Sequence, residues 1–353
     1  MLKVKQGGIA RRTALAVAAA ALIACTTTSS LAQGTSTDAD AAVESFYKGK
    51  TLVILIGHPP GGSYDLYARL AAAHMPKYIP GKPNIIVQSK PGGSGVVGVA
   101  FFYTNAPKDG TMMGLFPETI AHTQLTDPAI GKWNVQDFAY IGSFANVNAV
   151  FMMRKGSPAQ TLEELRKVKT NVGCSGRIGQ SYINPAMLKA FGGFKFEIIC
   201  GYPGSNDYPM ALARGEVDLI SSAWNTWSRR AEVIDGSLRP VIQSGLVRHK
   251  DLKDVPLMQD LMDDPKHKKV AEFLSSGSAI GRALLVPKSI PPERLAALRK
   301  AFDETIKDPA FIADAERASA ELDPTPGVEV QKISDDIIAT PKDIVQIAID
   351  AGK

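Results

Sequence analysis

The chain has little of what metal sites and nucleophilic catalysis require. Its 353 residues include only three cysteines and five histidines. No histidine or further cysteine stands at ligand spacing from Cys174 or Cys200, so we expect no metal site. The sequence also lacks a G-x-S-x-G turn, an H-E-x-x-H motif and a paired-carboxylate pattern. We therefore expect a protein that is not an enzyme and has no cofactor.

Long apolar runs are also missing after the N-terminus. The one near the start, Ala14–Ala24, is too short to cross a bilayer and follows four basic residues. A basic start before a short apolar run is typical of an export signal. We expect a soluble protein in the periplasm.

The export signal can end in two ways. Ser30-Leu31-Ala32 fits cleavage after Ala32, which would remove residues 1–32 as a signal peptide. Leu22-Ile23-Ala24-Cys25 fits a lipobox, in which Cys25 would carry a lipid anchor. We favour cleavage after Ala32, and lipid anchoring remains the alternative.

A strong excess of either charge is absent as well. The formal net charge is +5, but four of the basic residues lie in residues 1–32, which hold no acid. The remainder of the chain therefore carries +1. This near-neutral balance argues against a nucleic-acid partner.

Two cysteines remain after the signal, Cys174 and Cys200. Each ends an apolar run, Val172–Cys174 and Ile198–Cys200. If those runs are neighbouring parallel strands, the two sulfurs lie at the same edge of one sheet. A disulfide in an oxidising compartment and a pair of buried free thiols both fit this pattern.

Strand and helix patterns alternate along nearly the whole chain, which predicts an α/β fold with parallel sheets. Extended runs at Phe138–Phe144 and Ala149–Met153 separate two α/β sets and fit a crossover between domains. The stretch Pro117–Asp137 is expected to be mostly loop. Helix patterns near the C-terminus indicate that the chain returns to pack on the first domain.

Two glycine-rich turns are the most informative motifs. His58–Asp65 follows the apolar run Leu52–Ile56, and Lys90–Gly95 follows Ile85–Val87; a helix pattern comes after each turn. Such a turn leaves backbone N–H groups free at a helix N-terminus, where the helix dipole favours an anion. The pair therefore predicts a site for a molecule with negatively charged ends.

These turns belong to a longer pattern that resembles a known family. The segments that carry the resemblance keep one order along the chain: Lys50–Arg69, Gln88–Gly98, Ala106–Thr111, Gly215–Asp218 and Leu252–Leu257. The pattern is similar to the substrate-binding proteins of tripartite tricarboxylate transporters, the Bug or TctC-like family. The resemblance implies a type II periplasmic-binding-protein fold, in which two α/β lobes are joined by crossover strands around a ligand cleft.

The lobes and the function follow from the same resemblance. Lobe 1 would comprise residues 45–144 and 281–353, and lobe 2 residues 145–280. The protein would capture a small organic acid, a di- or tricarboxylate or an aromatic carboxylate, by lobe closure. It would act as a monomer and deliver the acid to a membrane permease of the tripartite tricarboxylate type. A periplasmic sensor that reports to a receptor fits the sequence equally well.

The resemblance also assigns residues to the cleft. In lobe 1 they are Gly61, Gly62, Ser63, Asp65, Gly92, Gly93, Ser94, Gly95, Glu118 and Thr119, and in lobe 2 they are Ser175, Gly176, Arg177, Gly204, Ser205, Asn206, Ser222 and Trp224. Several of these have a second interpretation. Asp65 could brace its own turn, Arg177 could be a solvated surface charge, and Trp224 could belong to the core.

Glu118 departs from the family pattern, which often has a small polar run there. A negative charge beside an anion is unfavourable unless it meets a cationic or protonated group. This residue therefore leaves room for an acid that also bears an amino or hydroxyl group.

A dinucleotide site is the remaining alternative. Gly93, Gly95 and Gly98 form a G-x-G-x-x-G pattern between a strand and a helix, and Glu118 follows twenty residues later. The export signal, the position of the motif on the second strand–turn–helix unit and the similar turn before it all oppose this interpretation.

Overall fold

A computed structural model describes residue 38 and residues 40–228 and 230–352. The predicted signal peptide, residues 1–32 with Cys25, lies outside the described residues. None of the described helices is both long and apolar enough to cross a membrane.

The first sheet is mixed. Its strands are β1 (Thr51–Ile56), β2 (Asn84–Ser89), β3 (Met112–Leu115), β4 (Phe138–Ser143), β10 (Ala283–Pro287) and β11 (Thr325–Pro326), in the spatial order β11-β4-β10-β3-β1-β2. β1 runs parallel to β2 and β3, whereas β10 is antiparallel to β3 and β4. The turns after β1, β2 and β3 therefore meet at one edge of this sheet.

The second sheet repeats this arrangement. Its strands are β5 (Ala149–Arg154), β6 (Thr170–Cys174), β7 (Phe196–Cys200), β8 (Leu219–Ala223) and β9 (Leu238–Ser244), in the order β7-β6-β8-β5-β9. β6 runs parallel to β7 and β8, and β5 is antiparallel to β8 and β9. The first sheet with the helices on it forms lobe 1, and the second sheet with its helices forms lobe 2.

Helices cover both sheets. In lobe 1 the chain forms α1 (40–47), α2 (Ser63–His74), α3 (Val96–Asn105) and α4 (Ile120–Thr126). In lobe 2 it forms α5 (Leu162–Lys167), α6 (Gln180–Phe191), α7 (Tyr208–Ala213) and α8 (Ala231–Ile234). The later helices are α9 (Pro265–Ser275), α10 (Pro292–Thr305), α11 (Pro309–Arg317), α12 (Gly327–Ile338) and α13 (Lys342–Ala351).

The helices near the C-terminus divide between the lobes. α10 and α12 pack on β4, and α11 packs on α2, so these three return to lobe 1. α13 instead contacts α6 of lobe 2, α4 of lobe 1 and α9 between them. The lobe bounds expected from the sequence remain a prediction.

Two crossovers join the lobes, one between β4 and β5 and the other between β9 and β10. Their backbones are hydrogen-bonded to each other: the amide of Phe144 donates to the carbonyl of Arg282 at 3.0 Å, and the amide of Arg282 donates to Ala145 at 3.0 Å. In each sheet, the strand that directly follows a crossover is inserted antiparallel between its two neighbours. The crossovers therefore form a short paired hinge beneath the gap between the lobes.

Local sequence signals place most of these elements. The apolar runs of the sequence become β1, β2 and β5 within two residues of their expected ends. At α5, the side chain of Thr161 accepts from the amide of Glu164 at 3.1 Å while Glu164 accepts from the amide of Thr161 at 3.1 Å, and these two bonds form a capping box. The stretch expected to be mostly loop, Pro117–Asp137, also holds α4.

The two described cysteines lie side by side. Cys174 ends β6 and Cys200 ends β7, and the parallel register pairs these two residues. A disulfide joins them in the structure. The amides of Gly201 and Tyr202, directly after β7, both donate to the carbonyl of Cys174, so the loop beyond them is anchored at its start by the bond and by the backbone.

Candidate functional site

A cavity lies between the lobes, at the carboxyl ends of the parallel strands of both sheets. It contains about 730 Å³ of empty space, counting its mouth open to solvent. The side of the cavity that we call the lobe-1 wall consists of His58, Ser63, Tyr64, Ser94, Glu118 and Arg282. The opposite side, the lobe-2 wall, consists of Ser175, Gln180, Ser181, Ser205, Tyr208 and Ser222. A cleft at this edge of parallel strands is the usual ligand position in α/β folds.

The lobe-1 wall is built around a buried ion pair. Nη1 of Arg282 lies 2.9 Å from Oε2 of Glu118, and their side chains are only 3% and 6% exposed. The hydroxyl of Tyr64 donates to the same Oε2 at 2.7 Å, and Nε of Arg282 donates to Oγ of Ser63 at 3.1 Å. The guanidinium also lies over the Tyr64 ring, 4.2 Å from its centroid. Burial first, and then the charge of Glu118, raise the pKa of Tyr64 well above its usual value, so its hydroxyl stays protonated and donates.

His58 completes this wall as a neutral group. Its ring stacks on Tyr64 at a centroid distance of 4.3 Å. Burial, followed by the positive charge of Arg282, lowers the pKa of His58 to about 3. Its Nδ1 has no hydrogen-bond partner among the described residues. The imidazole can therefore offer an uncharged nitrogen to a ligand.

The second glycine turn brings the backbone close to the first. Gly95 has φ +102°, and a Cβ there would come within 2.8 Å of Pro117 Cγ. A Cβ on Gly98, in the first turn of α3, would lie 2.7 Å from the Cα of Gly57. Only glycine permits these approaches and this backbone conformation without strain. The turn therefore needs its glycines for packing, and Ser94, with φ 56°, projects from it into the cavity.

The lobe-2 wall consists of neutral hydroxyls and amides. Ser181 accepts from the amide of Ser175 at 3.1 Å. Nε2 of Gln180 is buried and finds no hydrogen-bond partner in the described part of the chain, although the residue lines the cavity. Gln180 is also the first residue of α6, so a side-chain donor and the N-terminus of a twelve-residue helix meet the cavity together. Of the described lobe-2 residues that line the cavity, only the exposed Asp207 is charged.

The walls touch each other across the cavity. The hydroxyls of Ser94 and Ser175 lie 2.5 Å apart. Oγ1 of Thr119 donates to the carbonyl of Ile178 at 2.6 Å, and Nδ2 of Asn225 donates to Ser63 Oγ at 3.2 Å. The structure therefore has the lobes drawn together.

The structure brings many of the sequence-predicted residues to this cavity. Those that line it are Gly62, Ser63, Ser94, Glu118, Thr119, Ser175, Gly204, Ser205, Asn206 and Ser222. Gly92, Gly93 and Gly95 instead line a neighbouring pocket, which Ser94 and Ser175 also line. Gly61 and Gly176 lie beside the contacts between the lobes: a Cβ on Gly61 would come within 2.9 Å of Asn206 Nδ2, and one on Gly176 within 3.0 Å of Ser94 Oγ.

Three predicted residues lie away from the cavity. Asp65 accepts from the amide of Gly61 at 2.8 Å and from Nε of Arg69 at 2.7 Å, which braces the first turn. Arg177 donates to the carbonyl of Gly352 at 2.8 Å, near the end of the chain. Trp224 is buried in an apolar cluster of lobe 2. Their side chains point to structural contacts rather than into the cleft.

Sequence reasoning missed the group that neutralises Glu118. Arg282 stands 164 residues after Glu118 in the chain, and no motif surrounds it. It is brought to the cavity because it lies on the hinge, immediately before β10. Tyr64 stood inside the first motif, and Gln180 directly follows the second-lobe loop, but nothing local marks either as facing the cavity.

The arrangement suits an anion held by neutral dipoles. α2 and α6, each of twelve residues, both begin at the cavity, so unpaired first-turn N–H groups and both helix dipoles favour negative charge there. Hydroxyls and the Gln180 amide add donors. No cluster of three or more His, Cys, Asp or Glu side chains in the described ranges could hold a metal ion.

Comparison with known proteins identifies the family. The family model for TctC, described as the tripartite tricarboxylate transporter family receptor, matches residues 67–347. The chain belongs to the TctC family. A curated relative from Cupriavidus necator, the UPF0065 protein in the gbd 5′ region, is 25% identical over 265 residues, which are 73% of this chain and 75% of that protein.

Solved structures agree with the fold of this TctC chain. The periplasmic binding protein BugD has a TM-score of 0.66 at 19% identity and covers 87% of this chain and 99% of its own. A Rhodopseudomonas palustris protein with adipate has a TM-score of 0.66 at 18% identity and covers 85% of this chain and 97% of its own. MatC from the same organism, with bound malate, has a TM-score of 0.65 at 18% identity and covers 84% of this chain and 99% of its own. The predicted family and the two-lobe periplasmic-binding-protein fold are therefore confirmed.

Proposed function

We propose that this TctC-family protein is an extracytoplasmic solute-binding protein that captures a small organic acid in the cleft. The acid is a di- or tricarboxylate or an aromatic carboxylate. Ligand contacts from both lobes stabilise the closed form, which is presented to a membrane permease of the tripartite tricarboxylate type. The protein acts as a monomer, in the periplasm, and releases its ligand chemically unchanged.

The convergence of donors on one cavity carries this proposal. Two long helices begin there, one in each lobe, and the buried Nε2 of Gln180 lacks a partner beside one of them. A buried donor without a partner is costly, and a ligand carboxylate that reached it would remove that cost. Since the donors belong to opposite lobes, one acid can engage all of them only while the lobes are together. Its binding energy therefore shifts the equilibrium towards closure.

The family and its solved structures support the chemical class. The family model is that of a transporter receptor. Two structures of the same fold hold dicarboxylates, one adipate and the other malate.

Calorimetric titration with malate, adipate and aromatic acids tests the proposal. We expect at least one acid to bind, and Gln180→Ala to weaken that binding by about tenfold through the loss of a hydrogen bond to a charged group. Gln346→Ala, which removes an exposed amide on α13, is the matched control and should leave the affinity unchanged. A folded protein that binds none of these acids, or that converts one into a product detectable by NMR, would contradict the proposal.

The location needs a separate experiment on the full chain. After expression in a Gram-negative host, we expect the protein in the periplasmic fraction. Its measured mass should equal that of a chain that starts at Gln33. A mass equal to that of a chain that starts at a lipid-modified Cys25 would show that the protein is anchored to a membrane instead of freely soluble. A protein that stays in the cytoplasm with residues 1–32 still attached would overturn the periplasmic assignment.

A further inference from the structure

Glu118 is the feature of the cleft that a general carboxylate site does not explain. A carboxylate in a cleft for anions repels its ligand unless its charge is neutralised. Arg282 supplies the neutralising charge at 2.9 Å, and both side chains are almost fully buried. The pair therefore presents no net charge to a ligand, and Glu118 can remain on the wall of an anion site.

The geometry of the pair leaves part of Glu118 for the ligand. Tyr64 and Arg282 both donate to Oε2, at 2.7 and 2.9 Å. This leaves Oε1 to a ligand, and Glu118 lines the cavity. A carboxylate oxygen accepts hydrogen bonds but does not donate them. A ligand group that contacts Oε1 must therefore be a donor.

The neighbouring groups bring that donor close to the ligand's own carboxylate. Tyr64, whose hydroxyl bonds Glu118, lies in the first turn of α2, where the unpaired backbone N–H groups attract an anion. Ser63, in the same turn, accepts from Nε of Arg282 at 3.1 Å. The anion-binding turn and the accepting carboxylate are thus joined by one network of hydrogen bonds.

We infer that the cleft prefers a carboxylic acid that also carries a hydrogen-bond donor, a hydroxyl or an ammonium group, near its carboxylate, and that Glu118 determines this preference. The inference rests on the proposed function, because it specifies the acid that the same site takes. Arg282 and Tyr64 are positioning residues: they hold Oε2 and orient Oε1 towards the ligand.

Three four-carbon acids test the preference on the unmodified protein. Malate differs from succinate by one hydroxyl group, and aspartate differs from succinate by one ammonium group. We expect malate or aspartate to bind at least about tenfold more tightly than succinate in calorimetric titrations, which is the effect of one hydrogen bond to a charged acceptor. The tighter of the two identifies the donor. Equal affinities for all three acids, or binding of adipate with none of the three, would overturn the inference and leave carboxylate binding standing.

Glu118→Gln should remove the preference for malate or aspartate over succinate. The amide keeps an oxygen for Tyr64 and Arg282 but turns its N–H₂ donors towards the ligand, and it leaves the charge of Arg282 without compensation. We expect succinate to bind more tightly than it does to the unmodified protein, and the ratio of malate or aspartate affinity to succinate affinity to fall by about tenfold. An unchanged ratio between the acids would contradict the role of Glu118.

Controls separate this result from general effects. Glu163→Gln removes the same charge from an exposed position on α5 and should leave all three affinities unchanged. Thermal unfolding without ligand shows whether Glu118→Gln folds, and the comparison of acids on the unmodified protein stands even where it does not. Failure of every carboxylate to bind the unmodified, folded protein would count against the proposed function itself.

Discussion

The two lobes have the same strand arrangement but build their sides of the cleft from different chemistry. The lobe-1 wall holds a buried ion pair, an aromatic ring and a neutral imidazole. The lobe-2 wall holds hydroxyls and an amide, and a disulfide anchors one of its loops. In both sheets the strand that follows a crossover is inserted antiparallel. Topology therefore sets where the cleft lies, and the side chains at the strand ends set what each wall can recognise.

This difference indicates a division of labour in the cleft. Charge is concentrated on lobe 1, where Arg282 is attached to the hinge and its partner Glu118 is fixed by Tyr64. Neutral donors on lobe 2 can approach an anion without first losing the hydration of a full charge, which is costly. Under the proposed function, lobe 1 would discriminate between ligands and lobe 2 would close over them.

The largest effect is expected when the cation in the lobe-1 wall, Arg282, is removed. Arg282→Met leaves Glu118 buried and unpaired, and we expect the free energy of unfolding in urea to fall by about 3 to 5 kcal/mol. The comparable substitution in lobe 2, Arg154→Met, should cost less, because the Arg154 side chain in its pair with Asp218 is 25% exposed.

A double variant checks the reason for that loss. Glu118→Leu combined with Arg282→Met removes both charges and should recover most of the stability, since a buried ion pair contributes little beyond an apolar pair of similar volume. Equal losses in Arg282→Met and Arg154→Met would remove the contrast between the lobes.

The second test opens the disulfide of lobe 2. Cys174→Ser with Cys200→Ser frees a loop of 26 residues, and we expect the free energy of unfolding to fall by about 3 to 4 kcal/mol. Ligand affinity should fall as well, because the loop that begins at Gly201 brings Ser205 and Asn206 to the cavity. Urea unfolding and calorimetry of the same preparation measure both effects. Loss of stability with unchanged affinity would show that the loop is held by its other contacts.

The third test uses pH and concerns lobe 1. Burial lowers the pKa of His58 to about 3 and that of His122, on α4, to about 4, whereas both titrate near 6.5 in the unfolded chain. Between these values the unfolded state binds protons that the native state does not. The free energy of unfolding is therefore highest above pH 6.5, as far as these two histidines determine it. Below pH 6.5 it falls by up to about 1.4 kcal/mol per pH unit for each histidine.

Single substitutions assign this pH dependence. His58→Gln and His122→Asn should each make the decline in stability between pH 6.5 and 4 shallower in urea unfolding. A slope that neither variant alters would contradict the assignment.

The smallest expected effect concerns the contact between the walls. Ser94→Ala and Ser175→Ala each remove one partner of the hydroxyl pair that bridges the lobes. We expect each to weaken ligand binding by about 0.5 to 1.5 kcal/mol, and the double variant to cost little more than either single one because both lose the same contact. Fully additive losses would mean that each hydroxyl binds the ligand independently.

Local chemistry explains which parts of the site could be predicted. The turns at Gly62–Ser63 and Ser94 follow apolar strands and precede helices, so their place at the cavity could be predicted from local pattern alone. The sequence also indicated that Glu118 must meet a cationic or protonated group, and in the structure Arg282 is such a group. The helices α4, α9 and α13 were not predicted; α4 has only seven residues.

Residues distant in the chain could not be assigned in the same way. Arg177 is near the second-lobe loop in sequence, yet its guanidinium bonds Gly352 at the C-terminal end. Arg282 has no motif of its own, and the crossover pairing with Phe144 and Ala145 delivers it to Glu118. The choice between a binding role and a structural role depended on partners that lie more than a hundred residues away.

The sequence by itself determined the family, the alternation of strands and helices and the two glycine turns, because each is a matter of local spacing, apolar runs and backbone freedom. Only the tertiary structure decided which charges meet. The hinge brings Arg282 to Glu118, the strand register brings Cys174 to Cys200, and the contact between the lobes brings Ser94 to Ser175. Electrostatic and hydrogen-bond energies act over a few ångströms in space, and distance along the chain does not limit them.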